Sequence, residues 1–380
     1  MSLFLLTFFM IYGGMHAYAF LRVRSALSLG NGVAAVLATF MVCMTVAPLL
    51  VRVLERQGAE TAARTLAWAG YLWMAFLFLF LCSTLLFDLV NLIFRGVNRL
   101  SVQGYSIPLM LPRIAAIVSL TLALLISFYG YFEAWNVRTE WIRIETTKLP
   151  AGTDKLTIVQ ISDVHLGLIL RCDRMEKIIA AVNAAKPDIF VSTGDLVDAQ
   201  INHLTGLAEL LRSVKARYGS YAVTGNHEYY AGLDRALQFT QEAGFTLLRG
   251  RGMDIGPIII AGVDDETGAQ MGIEKAAVEQ DILAKLPRNK FTLLLKHRPR
   301  LDQASSGFFD LQLSGHTHRG QIFPFRYVSR IAYPLNAGWY DLPHGAVLYT
   351  SRGTGTWGPP IRFLAPPEVT VVELVRKRAM

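Results

Sequence analysis

The stretch ISDVHLG, at residues 161–167, is the part of the sequence from which the fold can be worked out. It directly follows an apolar run at residues 156–159, which predicts a buried β-strand. Side chains two positions apart on a strand point to the same side, so Asp163 and His165 are expected together at its carboxyl end. Open α/β sheets build their binding sites at this edge.

Four more short polar motifs follow apolar runs later in the chain. They are GDLVD at 194–198, GNHE at 225–228, KHRP at 296–299 and GHTH at 315–318. A single histidine at a strand end is usually a structural residue. Five of the chain's eight histidines, joined by two aspartates and an asparagine, instead indicate one shared site. These eight residues are Asp163, His165, Asp195, Asn226, His227, His297, His316 and His318.

From residue 155 onward, short β-rich runs alternate with amphipathic stretches, which predicts an α/β domain over residues 153–380. The expected strands are residues 156–161, 189–192, 221–223, 258–261, 291–295 and 311–313. The expected helices are residues 174–185, 203–217, 233–243 and 274–286.

The polar motifs contain a donor set suited to metal ions. Imidazole and oxygen ligands without a thiolate suit Mn, Fe or Zn. Seven of the eight residues named above, all except His227, are candidate ligands. This is more than one tetrahedral ion uses. Two divalent ions about 3.5–4 Å apart would use this many, and such a pair can lower the pKa of a bridging water and clamp a phosphoryl group.

The first third of the chain has a different composition. The whole sequence is 52% hydrophobic, and its mean hydropathy is +0.35. Charge-free windows predict about four transmembrane helices, near residues 1–21, 31–51, 65–87 and 113–132. Buried core helices are the alternative, and a signal peptide is the alternative for the first window. The windows contain no ionisable carboxylate or amine, so residues 1–132 are interpreted as an anchor rather than a transporter.

Residues 133–152, which alternate charged and aromatic side chains, are predicted to form an extended linker between the anchor and the α/β domain. The net charge of +8 comes largely from arginines that flank the apolar windows, so no nucleic-acid partner is expected. Basic residues are nearly equal in number on the two sides of the predicted spans. They therefore do not assign the catalytic domain to one side of the membrane.

The motif order D-x-H, GD, GNH, H, GHTH resembles the calcineurin-like metallophosphoesterase family over about residues 155–375. The resemblance implies a sandwich of two mixed β-sheets between helices. It implies that Asp195 bridges two metals, and that His227 supports the leaving-group oxygen or the transition state. It also implies two ligand sets: Asp163, His165 and His318 for one metal, and Asn226, His297 and His316 for the other.

Three longer segments are similar to the bacterial branch of the family with N-terminal membrane segments: 225–232, 313–324 and 351–368. This resemblance implies an integral protein of the bacterial inner membrane. Arg319 stands where that branch commonly has glycine, and it is predicted either to bind a second phosphate of a diphosphate or to face solvent. Arg298 is a weaker candidate for substrate binding. Glu228 is expected to orient His227, and Trp357 to stack on a base, touch lipid or pack beneath its loop.

The leading hypothesis is a membrane-anchored dinuclear-metal phosphohydrolase that uses a metal-bridging hydroxide on a phosphoester or diphosphate, with a lipid-linked substrate favoured by the anchor. A tethered phosphodiesterase for soluble nucleotides is the first alternative. A non-catalytic scaffold is the second, and the filled ligand positions argue against it.

Overall fold

The computed structural model describes residues 2–101, 106–198, 204, 206–275 and 277–377. The chain divides into two compact units. One unit comprises Met1–Phe132 and Gly358–Ile361, and the other comprises Glu133–Trp357 and Arg362–Met380. The first unit supplies long helices and the second contains every strand among the described residues.

The first unit is built from long apolar helices. They are α1 (Ser2–Leu27), α2 (Asn31–Arg56), α3 (Glu60–Leu100) and α4 (Pro112–Glu133). Among the described residues, three of them (α2, α3 and α4) are long and apolar enough to cross a membrane. The predicted span near residues 1–21 falls on α1, which is not among these three. The prediction of about four spans is therefore confirmed for three helices.

The connection between α3 and α4 is shorter than the loop expected at residues 97–112, because α3 continues to Leu100. The side-chain amide of Asn98 donates to the Ile107 carbonyl at 2.9 Å and accepts from its N–H at 2.8 Å. Asn91 makes the same pair of bonds with Met110, at 3.2 and 2.9 Å. Gly104 of the predicted loop lies outside the described residues.

The α/β unit contains two six-stranded sheets. The first sheet has the order β1-β12-β2-β3-β4-β5, and its strands are β1 (Arg138–Thr146), β12 (Glu368–Arg376), β2 (Lys155–Ile161), β3 (Ile189–Ser192), β4 (Ser220–Ala222) and β5 (Thr246–Leu247). The second has the order β10-β11-β9-β8-β7-β6, and its strands are β10 (Gly338–Asp341), β11 (Val347–Thr350), β9 (Leu311–Ser314), β8 (Thr292–Leu295), β7 (Ile259–Gly262) and β6 (Arg251–Asp254).

Both sheets are mixed, as predicted. Strands β2, β3, β4 and β5 are parallel, and β12 pairs antiparallel with β2. In the second sheet β7, β8, β9 and β11 are parallel, while β6 and β10 are antiparallel edge strands. Because the central strands of each sheet run in one direction, their carboxyl ends meet at a common edge.

Apolar side chains on opposite faces of the strands form separate cores. Ile158 of β2 packs in a cluster with Ile260 and Leu313 of the second sheet, which joins the two sheets. Val159, the next residue of β2, packs instead in a cluster with Met175 and other helix residues. β2 is thus buried on both faces, which explains its continuous apolar run.

The helices of this unit are α5 (Cys172–Ala184), α6 (Leu207–Arg212), α7 (Asn226–Ala231), α8 (Leu233–Glu242), α9 (Thr267–Gln270), α10 (Glu279–Leu283) and α11 (Arg326–Ala332). Four of them, α5, α6, α8 and α10, pack on outer faces of the sheets. The predicted helix 203–217 is shortened to α6, and His203 lies outside the described residues. The predicted helix 274–286 is shortened to α10.

The segment predicted as a linker, residues 133–152, contains the edge strand β1. β1 pairs in parallel with β12 along its whole length, from Arg138 opposite Glu368 to Thr146 opposite Arg376. Its side chains alternate between exposed and half-buried over most of its length, so the alternation seen in the sequence reflects a strand with one solvated face. The linker prediction needs this correction, because strand β1 joins the sheet of the α/β unit.

Candidate dinuclear metal centre

The predicted site residues lie in the turns that follow the parallel strands. Asp163 and His165 follow β2, Asp195 follows β3, and Asn226 follows β4 at the start of α7. In the second sheet His297 follows β8, and the segment from His316 to His318 follows β9. The strand-end placement expected from the sequence is therefore what the fold provides.

The backbone of these turns is unusual. Five of the site residues have a positive φ: Asp163 (52°), His165 (56°), Asp195 (50°), His316 (70°) and His318 (49°). Non-glycine residues adopt this left-handed region at a cost, and such residues concentrate at functional sites. The surrounding contacts must therefore hold each of these turns in place.

Two glycines provide space rather than a special dihedral angle. A Cβ at Gly225 would lie 2.2 Å from Asp195 Oδ1, and one at Gly315 would lie 2.2 Å from Asp163 Oδ2. Neither distance is possible for a real side chain. The two aspartates can reach the centre of the site only because the facing loops carry glycine at these positions.

Three side chains form a first cluster: Asp163, His165 and His318, whose ligand atoms lie within 4.8 Å of one another. His165 Nε2 is 3.1 Å from His318 Nε2, and His318 Nε2 is 3.4 Å from Asp163 Oδ1. Burial lowers the pKa of His165 to about 3, so its imidazole is neutral at pH 7. Two buried imidazole nitrogens and a carboxylate oxygen that face one another fit a bound cation.

A second cluster is formed by Asp195, His297 and His316. His297 Nδ1 donates to the Thr193 carbonyl at 2.8 Å, which leaves the Nε2 lone pair facing the site. That Nε2 lies 3.2 Å from Asp195 Oδ2 and 3.1 Å from His316 Nδ1. Asn226 Oδ1 is 3.3 Å from the same nitrogen. The set again combines imidazole nitrogens with oxygens and suits a divalent metal.

Asp195 belongs to both arrangements. Its Oδ2 is 3.2 Å from His297 Nε2 in the second cluster and 3.8 Å from His165 Nε2 in the first. Its other oxygen, Oδ1, accepts the backbone N–H of His227 at 2.8 Å. One carboxylate thus faces two neighbouring cation-binding sets.

His227 contacts the first cluster, with its ring centroid 4.5 Å from that of His165. Its Nδ1 lies 3.0 Å from Asp198 Oδ1, so the carboxylate orients the ring through Nδ1 and does not engage Nε2. Burial lowers the pKa of His227, but the Asp195 and Asp198 carboxylates outweigh burial and raise it to about 9. Asp198 lies in the GDLVD motif, but nothing in the sequence distinguished it from a surface carboxylate.

Glu228 does not orient His227, contrary to expectation. Its Oε2 accepts the backbone N–H groups of Asp195 at 3.0 Å and Gly225 at 2.6 Å. Its Oε1 accepts those of Leu196 at 2.8 Å and Val197 at 3.4 Å. The buried carboxylate therefore holds the Asp195 loop, and Asp198 is the residue that orients His227.

The two arginines predicted to contact substrate have different surroundings. Arg298 donates to both oxygens of Asp265, at 2.7 and 3.0 Å, to Thr267 Oγ1 at 2.9 Å and to the Tyr333 hydroxyl at 2.8 Å. Its guanidinium is thus engaged within the protein, and it fixes Tyr333, whose ring lies 4.7 Å from that of His316.

Arg319 is half-buried directly after His318, and its φ is 52°. Burial and the neighbouring guanidinium groups of Arg352 and Arg326 lower the pKa of Arg319. Arg352 is itself paired with Glu140 and with Glu368, so part of this positive charge is compensated within the protein.

A further arginine, which no sequence motif indicates, contacts a proposed metal ligand. Arg362 is fully buried, and its guanidinium lies 3.1 Å from His318 Nδ1. It also donates to main-chain carbonyl groups of the surrounding segment, among them those of Arg352 at 2.7 Å and Gly355 at 3.0 Å. Only the tertiary structure identifies this contact.

Comparison with known proteins gives consistent matches. Residues 156–320 match the family model described as calcineurin-like phosphoesterase. An uncharacterized metallophosphoesterase of Aquifex aeolicus is 40% identical over 258 residues, which cover 67% of this chain and 98% of that relative. One of Campylobacter jejuni is 34% identical over 300 residues, covering 78% of each chain. A transmembrane protein with metallophosphoesterase domain of Danio rerio is 30% identical over 279 residues, covering 68% of this chain and 62% of the relative.

Proposed function

Because this chain belongs to the calcineurin-like phosphoesterase family, we propose that it is a membrane-anchored phosphohydrolase that cleaves a phosphoester or diphosphate bond. Membership makes it a metal-dependent phosphoesterase with two divalent metal ions, which the two buried His/Asp clusters fit. The observation that carries the proposal is the position of Asp195, whose one carboxylate oxygen faces a histidine of each cluster.

The ligands divide between the metals as the family resemblance implies. Asp163, His165 and His318 hold one ion, and Asp195 is shared. Asn226, His297 and His316 hold the other. When bound, such a metal pair lowers the pKa of water and neutralises a phosphoryl group for in-line attack.

His227 is the proposed proton donor to the leaving-group oxygen. Its Nδ1 is bonded to Asp198 and its ring contacts His165, so its Nε2 is the nitrogen available to a substrate at the first cluster. The Asp198 carboxylate stabilises the imidazolium form. A proton held at Nε2 can then stabilise or protonate the departing oxygen.

The membrane location rests on the apolar helices. α2, α3 and α4 are long and apolar enough to cross a bilayer, and one relative is described as a transmembrane protein. An anchored catalytic unit works close to lipid headgroups, which supports a lipid-linked phosphate or diphosphate as substrate. The family resemblance supports the bacterial inner membrane as the location.

A second candidate is a tethered phosphodiesterase for soluble nucleotides. It is favoured by Trp357, which is 55% exposed and lies 5.7 Å from His227 between ring centroids. A non-catalytic scaffold is disfavoured because all seven proposed ligand positions carry donor side chains and cluster in space.

The test is metal content and manganese-dependent hydrolysis of bis(p-nitrophenyl) phosphate by the detergent-purified full chain. We expect about two metals per chain, and a fall of at least about 100-fold in activity for Asp195→Ala. Asp281→Asn, which removes an exposed carboxylate on α10, is the matched control. It should keep both the metal content and the activity of the wild type. Activity that survives in Asp195→Ala would refute the assignment.

The substrate is tested separately on the wild-type protein. Turnover of the soluble diester is compared with turnover of a detergent-dispersed lipid diphosphate. A strong preference for the soluble compound would reject the lipid-linked substrate and leave the tethered phosphodiesterase.

A further inference from the structure

Two aromatic side chains flank His227 without being buried. The ring of Tyr230 lies 5.4 Å from the imidazole between centroids, at an interplanar angle of 70°. The indole of Trp357 lies 5.7 Å away at 76°. Their exposed fractions are 53% and 55%, whereas the adjacent Tyr229 is 3% exposed. Edge contacts of this kind leave large parts of both rings open beside the proposed leaving-group donor.

The backbone of Trp357 is held by two hydrogen bonds, although its side chain is exposed. The Gln321 side chain donates to the Trp357 carbonyl at 3.0 Å and accepts the Trp357 N–H at 2.9 Å. Gln321 itself follows the His318 turn directly, as the residue that ends the short 3₁₀ helix His318–Gly320. The backbone of Trp357 is therefore tied to the segment that carries a proposed metal ligand, and the indole projects from that anchored position.

Tyr230 is carried by a different element of the site. It lies on α7, three residues after His227, so the two side chains share one face of the helix. α7 begins at Asn226, another proposed ligand. Tyr230 thus projects from a helix that carries a proposed ligand, and Trp357 projects from a loop whose backbone is hydrogen-bonded to Gln321.

We propose that Tyr230 and Trp357 form a subsite for a planar aromatic ring, of the nucleobase type, carried by the substrate. The proposal rests on the proposed phosphohydrolase function and specifies its substrate class. Two half-open rings beside the leaving-group donor suit stacking, which every base permits through its π-face. Packing under the loop, one of the roles expected for Trp357, does not agree with its exposure.

The experiment compares two inhibitors of bis(p-nitrophenyl) phosphate hydrolysis by the metal-loaded full chain in detergent. Adenosine 5′-monophosphate and ribose 5-phosphate share the sugar and the phosphate and differ only in the base. One stacked base is worth about tenfold to 100-fold in affinity. We expect the nucleotide to inhibit with an inhibition constant lower by that factor.

The variants locate the preference. Trp357→Ala should abolish the stronger inhibition by the nucleotide than by ribose 5-phosphate, and Trp357→Phe should restore most of this difference. Trp339→Ala should leave the difference unchanged. Trp339 is the matched control, since it is 42% exposed on the edge strand β10. A second readout is quenching of tryptophan fluorescence by the nucleotide, which Trp357→Phe should reduce.

Other outcomes overturn the proposal. Equal inhibition by both phosphates, or a base preference that persists in Trp357→Ala, would exclude the subsite while hydrolysis stays intact. Inhibition by hexyl phosphate as strong as by the nucleotide would show an apolar surface for lipid chains instead. Loss of the proposed function has a different signature, namely no metal and no hydrolysis, and the fluorescence titration would still report whether the base binds.

Discussion

Replacing Arg362 by methionine should destabilise the α/β unit and displace His318. The buried guanidinium donates to the carbonyls of Arg352, Gly355 and Ala365, the last at 3.2 Å. Methionine has a similar length but no donor. The variant therefore tests the buried hydrogen bonds with little change in packing volume.

The magnitude follows from which acceptors lose their partners. The Gly353 carbonyl also accepts from Glu368 N, and the His318 carbonyl from Gln321 N, so both stay paired. The carbonyls of Arg352, Gly355 and Ala365 have no other partner among the described hydrogen bonds. Each unsatisfied buried acceptor costs about 1–3 kcal/mol, and relief of the buried charge offsets part of this. We expect the free energy of unfolding to fall by about 3–5 kcal/mol, as for other broken buried charge networks.

The assay is thermal unfolding of the detergent-purified full chain, followed by tryptophan fluorescence, together with metal content. At about 2–4 °C per kcal/mol for a unit of this size, Tm should fall by roughly 10 °C. Arg143→Met is the matched control, because Arg143 is exposed on β1 and pairs with Glu145 only at 3.4 Å. It should change stability by less than about 0.5 kcal/mol. An Arg362→Met variant that unfolds within about 2 °C of the wild type would refute the reasoning.

Two further changes test the centre itself. Asp198→Asn should lower kcat by about 10- to 100-fold, and the loss should be larger for alkyl than for p-nitrophenyl leaving groups. The reason is that only the alkoxide needs the proton that Asp198 helps His227 to hold. Unchanged metal content is the control, and equal effects on both leaving groups would contradict a proton-donor role. Gly315→Ala should reduce bound metal, measured by elemental analysis, because its Cβ would meet Ser162 Oγ at 1.9 Å and Asp163 Oδ2 at 2.2 Å. Wild-type metal content in Gly315→Ala would show that the loop can shift freely.

Local signals explain the parts of the fold that the sequence predicts correctly. β2, β3 and β9 are short apolar runs bounded by polar motifs, and they appear within a residue or two of their expected positions. Such runs form strands wherever both faces are buried, so neighbouring sequence is enough. The convergence of Asp163 and His316 follows in the same way, because each lies two residues after a strand, β2 or β9, that ends at one edge of the sandwich.

Long-range pairing is what the sequence does not reveal. β1 lies in the predicted linker, and its partner β12 is more than 200 residues away. Charged and aromatic residues alternate equally in an exposed linker and in an edge strand. Only the pairing of Arg138 with Glu368 and the positions that follow distinguishes the two. The membrane spans show the converse case, since α2, α3 and α4 follow from local composition alone.

Side-chain direction limits the prediction of substrate contacts. Arg319 replaces a glycine that is common in the bacterial branch, and both Arg298 and Arg319 directly follow proposed ligands, but adjacency does not fix where a long side chain points. Asp265, Thr267 and Tyr333 take up the Arg298 guanidinium. Trp357 shows the opposite outcome, because it stays half-open beside His227 instead of packing beneath its loop.

Two buried ions outside the proposed ligand set explain how the strained turns are held. Glu228 accepts four backbone N–H groups around the Asp195 turn, and Arg362 donates to main-chain carbonyls around the His318 turn. Each ion meets backbone groups of opposite polarity, which compensates the cost of burying its charge. Asp195 and His318 both have a positive φ, and regular secondary structure would not keep them there. These two side chains therefore support the turns independently of the proposed ligands, so losing either ion should disturb ligand geometry even with every ligand present.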